Sequence, residues 1–210
     1  MIRAIFAVAV AALPSWAFCQ GGPELPSFSS VMDRVFAKSE NMRVNMDIRG
    51  FFNGDRYDVR DTFAKIDMEV SREYGGKNYR FSGDVDGRYL SGRVEARSDG
   101  AWEIWGGGLS VTLRKRGASD YELSGFVDED QPNGSRHIDV DLRQWGSPGS
   151  FSVWESGVNL DVRKFGSSTS VSGDIELDRF GKKALAVLGV FVAVIESELD
   201  KPKEEPAPKK

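Results

Sequence analysis

The stretch Met42-Arg43-Val44-Asn45-Met46-Asp47-Ile48-Arg49 sets a period of two in the chain. Met42, Val44, Met46 and Ile48 fall on one side, and Arg43, Asn45, Asp47 and Arg49 on the other. That is the alternation of a β-strand with one face buried. Asn53-Gly54-Asp55 follows as a hairpin turn signal. The same grammar runs on to residue 180. Ile66, Met68 and Val70 share a face, as do Ile138, Val140 and Leu142, and Val158, Leu160 and Val162. Turn signals separate such runs at Gly75-Gly76, Asp86-Gly87, Asp99-Gly100, Pro132-Asn133-Gly134 and Ser147-Pro148-Gly149. About ten short strands with tight connections predict a mainly all-β domain over residues 42–180, an antiparallel meander that is curved or closed into a barrel.

One unit repeats within this domain. Leu90-Ser91-Gly92-Arg93-Val94 matches Phe81-Ser82-Gly83-Asp84-Val85, Leu123-Ser124-Gly125-Phe126-Val127 and Val171-Ser172-Gly173-Asp174-Ile175. Alternation places Gly83, Gly92, Gly125 and Gly173 in a row on the apolar face, each between two large residues. A glycine inside a strand marks either a bend or the close approach of another backbone or a ligand. Ala184 to Ile195 is a candidate for the approaching element, since it is apolar on every side and flanked by Lys182-Lys183 and Glu196-Ser197-Glu198. Twelve apolar residues are too few to span a bilayer comfortably. A helix apolar all round has to be buried. The expectation is therefore a helix over 181–199, belonging to the β domain and packed on its concave face against the four glycines. The valines of this segment also suit a buried strand.

The ends of the chain read differently. Residues 1–19 have the order of a secretory signal: Arg3, an apolar run from Ala4 to Leu13, Pro14, then small residues around Ala17. This predicts export to a periplasmic, envelope-associated or extracellular location. Phe18 stands where lipid attachment at Cys19 needs a small residue, which argues for cleavage without lipidation. No cysteine follows Cys19, so neither a disulfide nor a thiolate zinc site is available beyond it. Residues 20–41 read as a lead-in with a short helix capped at Ser29 or Ser30, and residues 200–210 as a solvated Pro and charge tail.

Composition bounds the function. The 210 residues are 40% hydrophobic, enough for a core, and carry a net charge of −4 with both signs interspersed. Nucleic acid needs a concentrated basic face, which is absent. The single histidine, His137, lies at the start of a strand pattern with no nucleophile elbow in the chain. Asp84, Asp86, Asp139 and Asp141 alternate on polar strand faces, and Arg43, Arg49, Arg93, Arg97 and Arg143 occupy equivalent positions. Cross-strand ion pairs on a wet surface account for both signs. Asp128, Asp130 and Asn133 form a weak calcium candidate, because the glycine falls one residue late for an EF-hand and Pro132 stiffens the loop. Gly106-Gly107-Gly108 lacks the lysine of a phosphate loop and reads as a bulge or bend. Trp102, Trp105, Trp145 and Trp154 would suit a sugar or lipid site if they converge.

No cofactor and no catalytic residue is expected. The function expected is that of a non-catalytic exported binding or structural module, with an unknown protein or envelope component as partner. An alternative is a carrier of lipid or another apolar small molecule. In strand count and helix placement the outline resembles lipocalins and exported half-barrel lipid carriers, with no shared motif. A second alternative is an outer-membrane β-barrel, which has the same period. Inward glycines, the homeless apolar segment and the polar end of the chain argue against it.

Overall fold

The computed structural model of the chain describes residues 40–51, 54–74, 76–128, 134–155 and 157–199. The expected signal, the lead-in helix, Cys19 and the tail lie outside them. Alternation carries through twelve strands rather than ten. They are β1 (Asn41–Phe51), β2 (Arg56–Asp61), β3 (Ile66–Arg72), β4 (Tyr79–Val85), β5 (Arg88–Ala96) and β6 (Trp102–Gly106). They continue as β7 (Leu109–Arg116), β8 (Asp120–Asp128), β9 (Ser135–Gln144), β10 (Phe151–Glu155), β11 (Val158–Phe165) and β12 (Ser168–Glu176). Two of them, β6 and β10, are five residues long, too short for alternation to stand out in sequence.

Every strand pairs antiparallel with its neighbours in the chain. The barrel closes where β12 meets β1, from Asn41 opposite Glu176 to Arg49 opposite Ser168. An even number of strands lets an up-and-down meander close with no edge left open to other chains. Val44, Met46 and Ile48 of β1 point inward and are buried, as are Val140 and Leu142 of β9 and Leu160 and Val162 of β11. Their alternate neighbours face outward.

A wall of twelve strands encloses more space than its own side chains fill. The helix α1 (Gly181–Leu199) occupies it. Ala184 through Ile195 are each at most 1% exposed wherever the fraction is resolved for a side chain, on all sides of the helix. At 19 residues and about 1.5 Å per residue, α1 is roughly 28 Å long. It runs from one mouth of the barrel to the other. At one mouth Lys182 Nζ lies 2.9 Å from Asp86 Oδ2 in the β4–β5 turn. At the other, Ser197 Oγ donates to the Gly54 carbonyl at 3.0 Å in the β1–β2 turn. The helix sits closest to β1 through β4. There a methyl on Gly189 would come 2.7 Å from both Met46 Sδ and Val59 Cγ1, so a missing side chain on the helix sets the close approach.

Of the two causes the sequence offers for the row of wall glycines, the contacts favour the bend over the approach of α1. A Cβ on Gly83, Gly125 or Gly173 would meet the backbone of the neighbouring strand first: Asp67 O at 2.2 Å, Ser110 O at 2.2 Å and Asn159 O at 2.1 Å. Gly125 and Gly173 have φ of +148° and +143°, a conformation that residues with a side chain rarely adopt. These glycines let the strands coil sharply; they do not make room for α1. Gly92 belongs to another class. Its added Cβ would likewise meet backbone first, Trp105 O of β6 at 2.5 Å, and then the ring of Phe81, its ladder partner, at 2.6 Å, but its φ is not positive.

Separating Gly92 from the other three exposes an internal repeat. Tyr79–Val85, Tyr121–Val127 and Thr169–Ile175 form β4 and most of β8 and β12, every fourth strand. Gly83 lies between Met68 and Leu90, Gly125 between Val111 and Ile138, and Gly173 between Leu160 and Val44. The barrel is thus three four-stranded units in pseudo-threefold arrangement, each bent at the same rung.

Substituting Gly125 by Ala is expected to cost about 2–4 kcal/mol, because backbone at 2.2 Å leaves no room and φ is unfavourable. Gly117→Ala, at φ +68° with open space around it, is expected to cost only about 1 kcal/mol. Denaturant unfolding of the two variants side by side measures the difference.

Candidate binding surface

The interior offers little chemistry. Several of its polar groups gather at the mouth where α1 ends. Tyr79 Oη donates to Ser197 Oγ at 3.0 Å and to Glu198 Oε1 at 2.9 Å. Burial, aided by the Glu198 charge, pushes the Tyr79 hydroxyl far above its ordinary pKa, so it stays protonated and donating. Burial likewise raises Tyr121. At the opposite mouth Lys182 holds Asp86, and Lys183 Nζ donates to the Asp128 carbonyl at 2.9 Å. Both ends of the helix are thereby tied to hairpins of the wall. The buried carboxylate of Asp61 accepts from the Asn45 and Ala64 backbone N–H groups, each at 2.8 Å, and so fixes the β2–β3 turn against β1.

Outside, the arginines lie against carboxylates, some across the ladder as expected and others two residues along the same strand. Arg49 meets Asp47, Arg60 meets Asp67, Arg143 meets Asp141 and Arg163 meets Asp161. Arg97–Glu103 and Arg116–Glu122 are similar pairs. Glu73 is shared by Arg93 at 2.6 Å and Arg80 at 2.5 Å, and their hydrogen bonds hold its carboxyl below the ordinary 4.5. Lys182, with Lys65, lowers Asp86 in the same way. Each exposed pair contributes little alone; together they make the wall a polar, hydrated surface.

The tryptophans do not converge. Trp102 points inward and packs half-buried against the core. Trp105 and Trp154 point outward on β6 and β10, and Trp145 lies beyond the end of β9 under the Arg163 guanidinium at 5.4 Å. His137 is exposed, its ring edge-on to Phe126 with centroids 5.0 Å apart. Through Ser110, Phe126 lies in register with Trp105, giving a short aromatic row across β6–β9. Of the calcium candidates, Asp128 has its backbone committed to Gly108 and Lys183, while Asp130 and Asn133 lie outside the described residues. Among the described residues no group of His, Cys, Asp and Glu is placed to hold a metal ion.

One concavity on the outer wall does not follow from the sequence. It is an open groove of about 760 Å³ over the bend at Gly173, lined by polar side chains of β1, β11 and β12 and by Phe63 of the β2–β3 turn. Its residues were hidden because each looks like an ordinary outward polar position. Only the register that brings β1 beside β12 joins them.

These features define a closed, twelve-stranded antiparallel barrel with a helix through its lumen and a charged outer wall. No family model matches the chain, and no curated protein or solved structure shows a significant likeness to it.

The lowered pKa of Glu73 implies a pH dependence. Its charged form is favoured in the folded state, so this contribution to stability is present above pH 4.5 and is lost as the pH falls through the lowered folded value. Glu73→Gln is therefore expected to flatten the loss of stability on acidification below about pH 4.5, relative to the unmodified protein. Thermal melts between neutral pH and about pH 3 read this directly.

Proposed function

We propose that this chain is a non-catalytic exported module that acts through the outside of its barrel, as a binding or structural component of the envelope or the extracellular space. The observation that carries the reading is the lumen. Where a carrier would keep a ligand cavity, the all-round burial of Ala184 to Ile195 leaves the chain's own helix in place. Helix and barrel form one core, with Phe191, Leu188 and Leu185 as fully enclosed as Ile48 and Leu142 of the wall. The outer wall supports the same reading. Its ion pairs stand where a membrane barrel would present an apolar band to lipid. The leader-like order of residues 1–19 supports export.

Native mass spectrometry of the purified protein is expected to give the mass of the polypeptide alone. A lipid retained at one per chain would overturn the reading in favour of a carrier. Removing Lys182 to Glu198 provides a second check. A filled core predicts aggregation or loss of the cooperative melt, because the apolar lumen is then opened to water. A soluble, cooperatively folding barrel with affinity for apolar ligands would instead show that the helix is a lid.

A further inference from the structure

We propose that the groove over Gly173 is a binding site for a neutral carbohydrate, of one or two sugar rings in footprint. The inference rests on the reading that the barrel works through its outer wall, and it names the class of ligand. Two cross-strand rows form the floor. Arg43, Asp174 and Asn159 stand abreast on β1, β12 and β11, and Asn45, Ser172 and Asp161 stand abreast two residues further along. With strands about 4.8 Å apart, each row is roughly 10 Å wide.

Arg43 and Asp174 are left available here, as most arginines of the wall are not. Arg49, Arg60, Arg93, Arg116, Arg143 and Arg163 each hold a carboxylate. Arg43 faces Asp174 directly across the β1–β12 ladder, yet among the described residues neither enters an ion pair within 4.0 Å. Guanidinium, carboxylate and carboxamide each offer two coplanar hydrogen-bonding positions, a geometry that suits the adjacent hydroxyls of a sugar. Phe63 supplies the remaining element. Its ring is 56% exposed on the groove's edge, and an aromatic face there can lie against the C–H face of a pyranose.

The site is built rather than incidental. Asp61 is only 2% exposed, and its two oxygens receive the backbone N–H of Ala64, next to Phe63, and that of Asn45 on the floor. One buried carboxylate therefore positions both the aromatic edge and a polar strand of the groove. The other two bends of the pseudo-threefold barrel lack this combination. At the rung of Gly125 the positions of Arg43 and Asp174 are taken by His137 and Phe126, and at Gly83 by Tyr89 and Asp84.

Charge decides among ligand classes. One free cation faces Asp174, and Asp161 already holds Arg163, so nothing favours phosphate or sulfate. Arg43 on the floor likewise opposes a metal ion, and the polar lining gives an acyl chain no apolar wall. A neutral polyhydroxylated ligand fits what remains.

The test is calorimetric titration of the full purified protein with four probes: maltohexaose, cellohexaose, xylohexaose and chitohexaose. Saturable binding of at least one is expected. Phe63→Ala and Asp174→Asn are each expected to weaken it about tenfold with an unchanged melting temperature, since both side chains are exposed. Trp105→Ala, on a different part of the wall, is expected to bind as the unmodified protein does. The proposal is overturned if none of the four probes binds, if either Phe63→Ala or Asp174→Asn binds undiminished, or if inorganic phosphate competes for the groove. Failure here is distinguishable from failure of the broader reading. Sugar binding abolished by Trp105→Ala would move the site along the wall and keep that reading, whereas a lipid held in the lumen would sink it without touching the groove.

Discussion

The structure depends on filling a lumen. Strands at about 4.8 Å spacing, closed in a ring of twelve, enclose a cylinder too wide for inward side chains to meet across it. Empty, that space would either admit water against apolar walls or cost the wall its packing contacts. Filling it with a helix resolves the conflict on both sides, because α1 has no polar stripe and so has no stable place on a surface. Wall and helix each expose what the other must cover. Gly189 permits the helix to lie against Met46 and Val59, so that the core packs without a gap on that side.

That division of labour leaves the outer wall free of the core's demands. Inward positions are dictated by packing, while outward positions need only remain hydrated, and many of them do so with ion pairs, along one strand or across two. Against this uniform background, local departures carry information. The groove over Gly173 is one, because polar groups that would elsewhere neutralise each other stand apart there, and a buried carboxylate is spent on shaping the turn above them. The exposed row of Trp105, Phe126 and His137 is another. Both occur at the rung where a repeat glycine coils its strand, so the bend that rounds the barrel also differentiates its surface.

The strands with long alternation, such as β1, β9 and β11, and the buried helix were legible in the sequence. The shortest strands were not, and of the two causes the sequence offers for the glycine row, a bend or the approach of the helix, only the contacts decide for the bend. Gly92 shares a local motif with Gly83, Gly125 and Gly173, but motif identity over five residues does not report which neighbour a residue faces. The true repeat emerges only once each glycine is seen between its two partner strands. The groove was illegible for the same reason: Arg43 and Asp174 are 131 positions apart and become neighbours only through barrel closure.

What the sequence by itself determined is local in origin. Period-two alternation assigns each strand an inside and an outside, and an all-apolar segment demands burial, whatever the topology turns out to be. Tertiary structure decided the closure of β12 on β1, the placement of α1 inside the ring, and which polar residues share a concavity. Register and closure arise from contacts between distant segments, whose energies depend on the whole arrangement and not on any stretch of chain read alone.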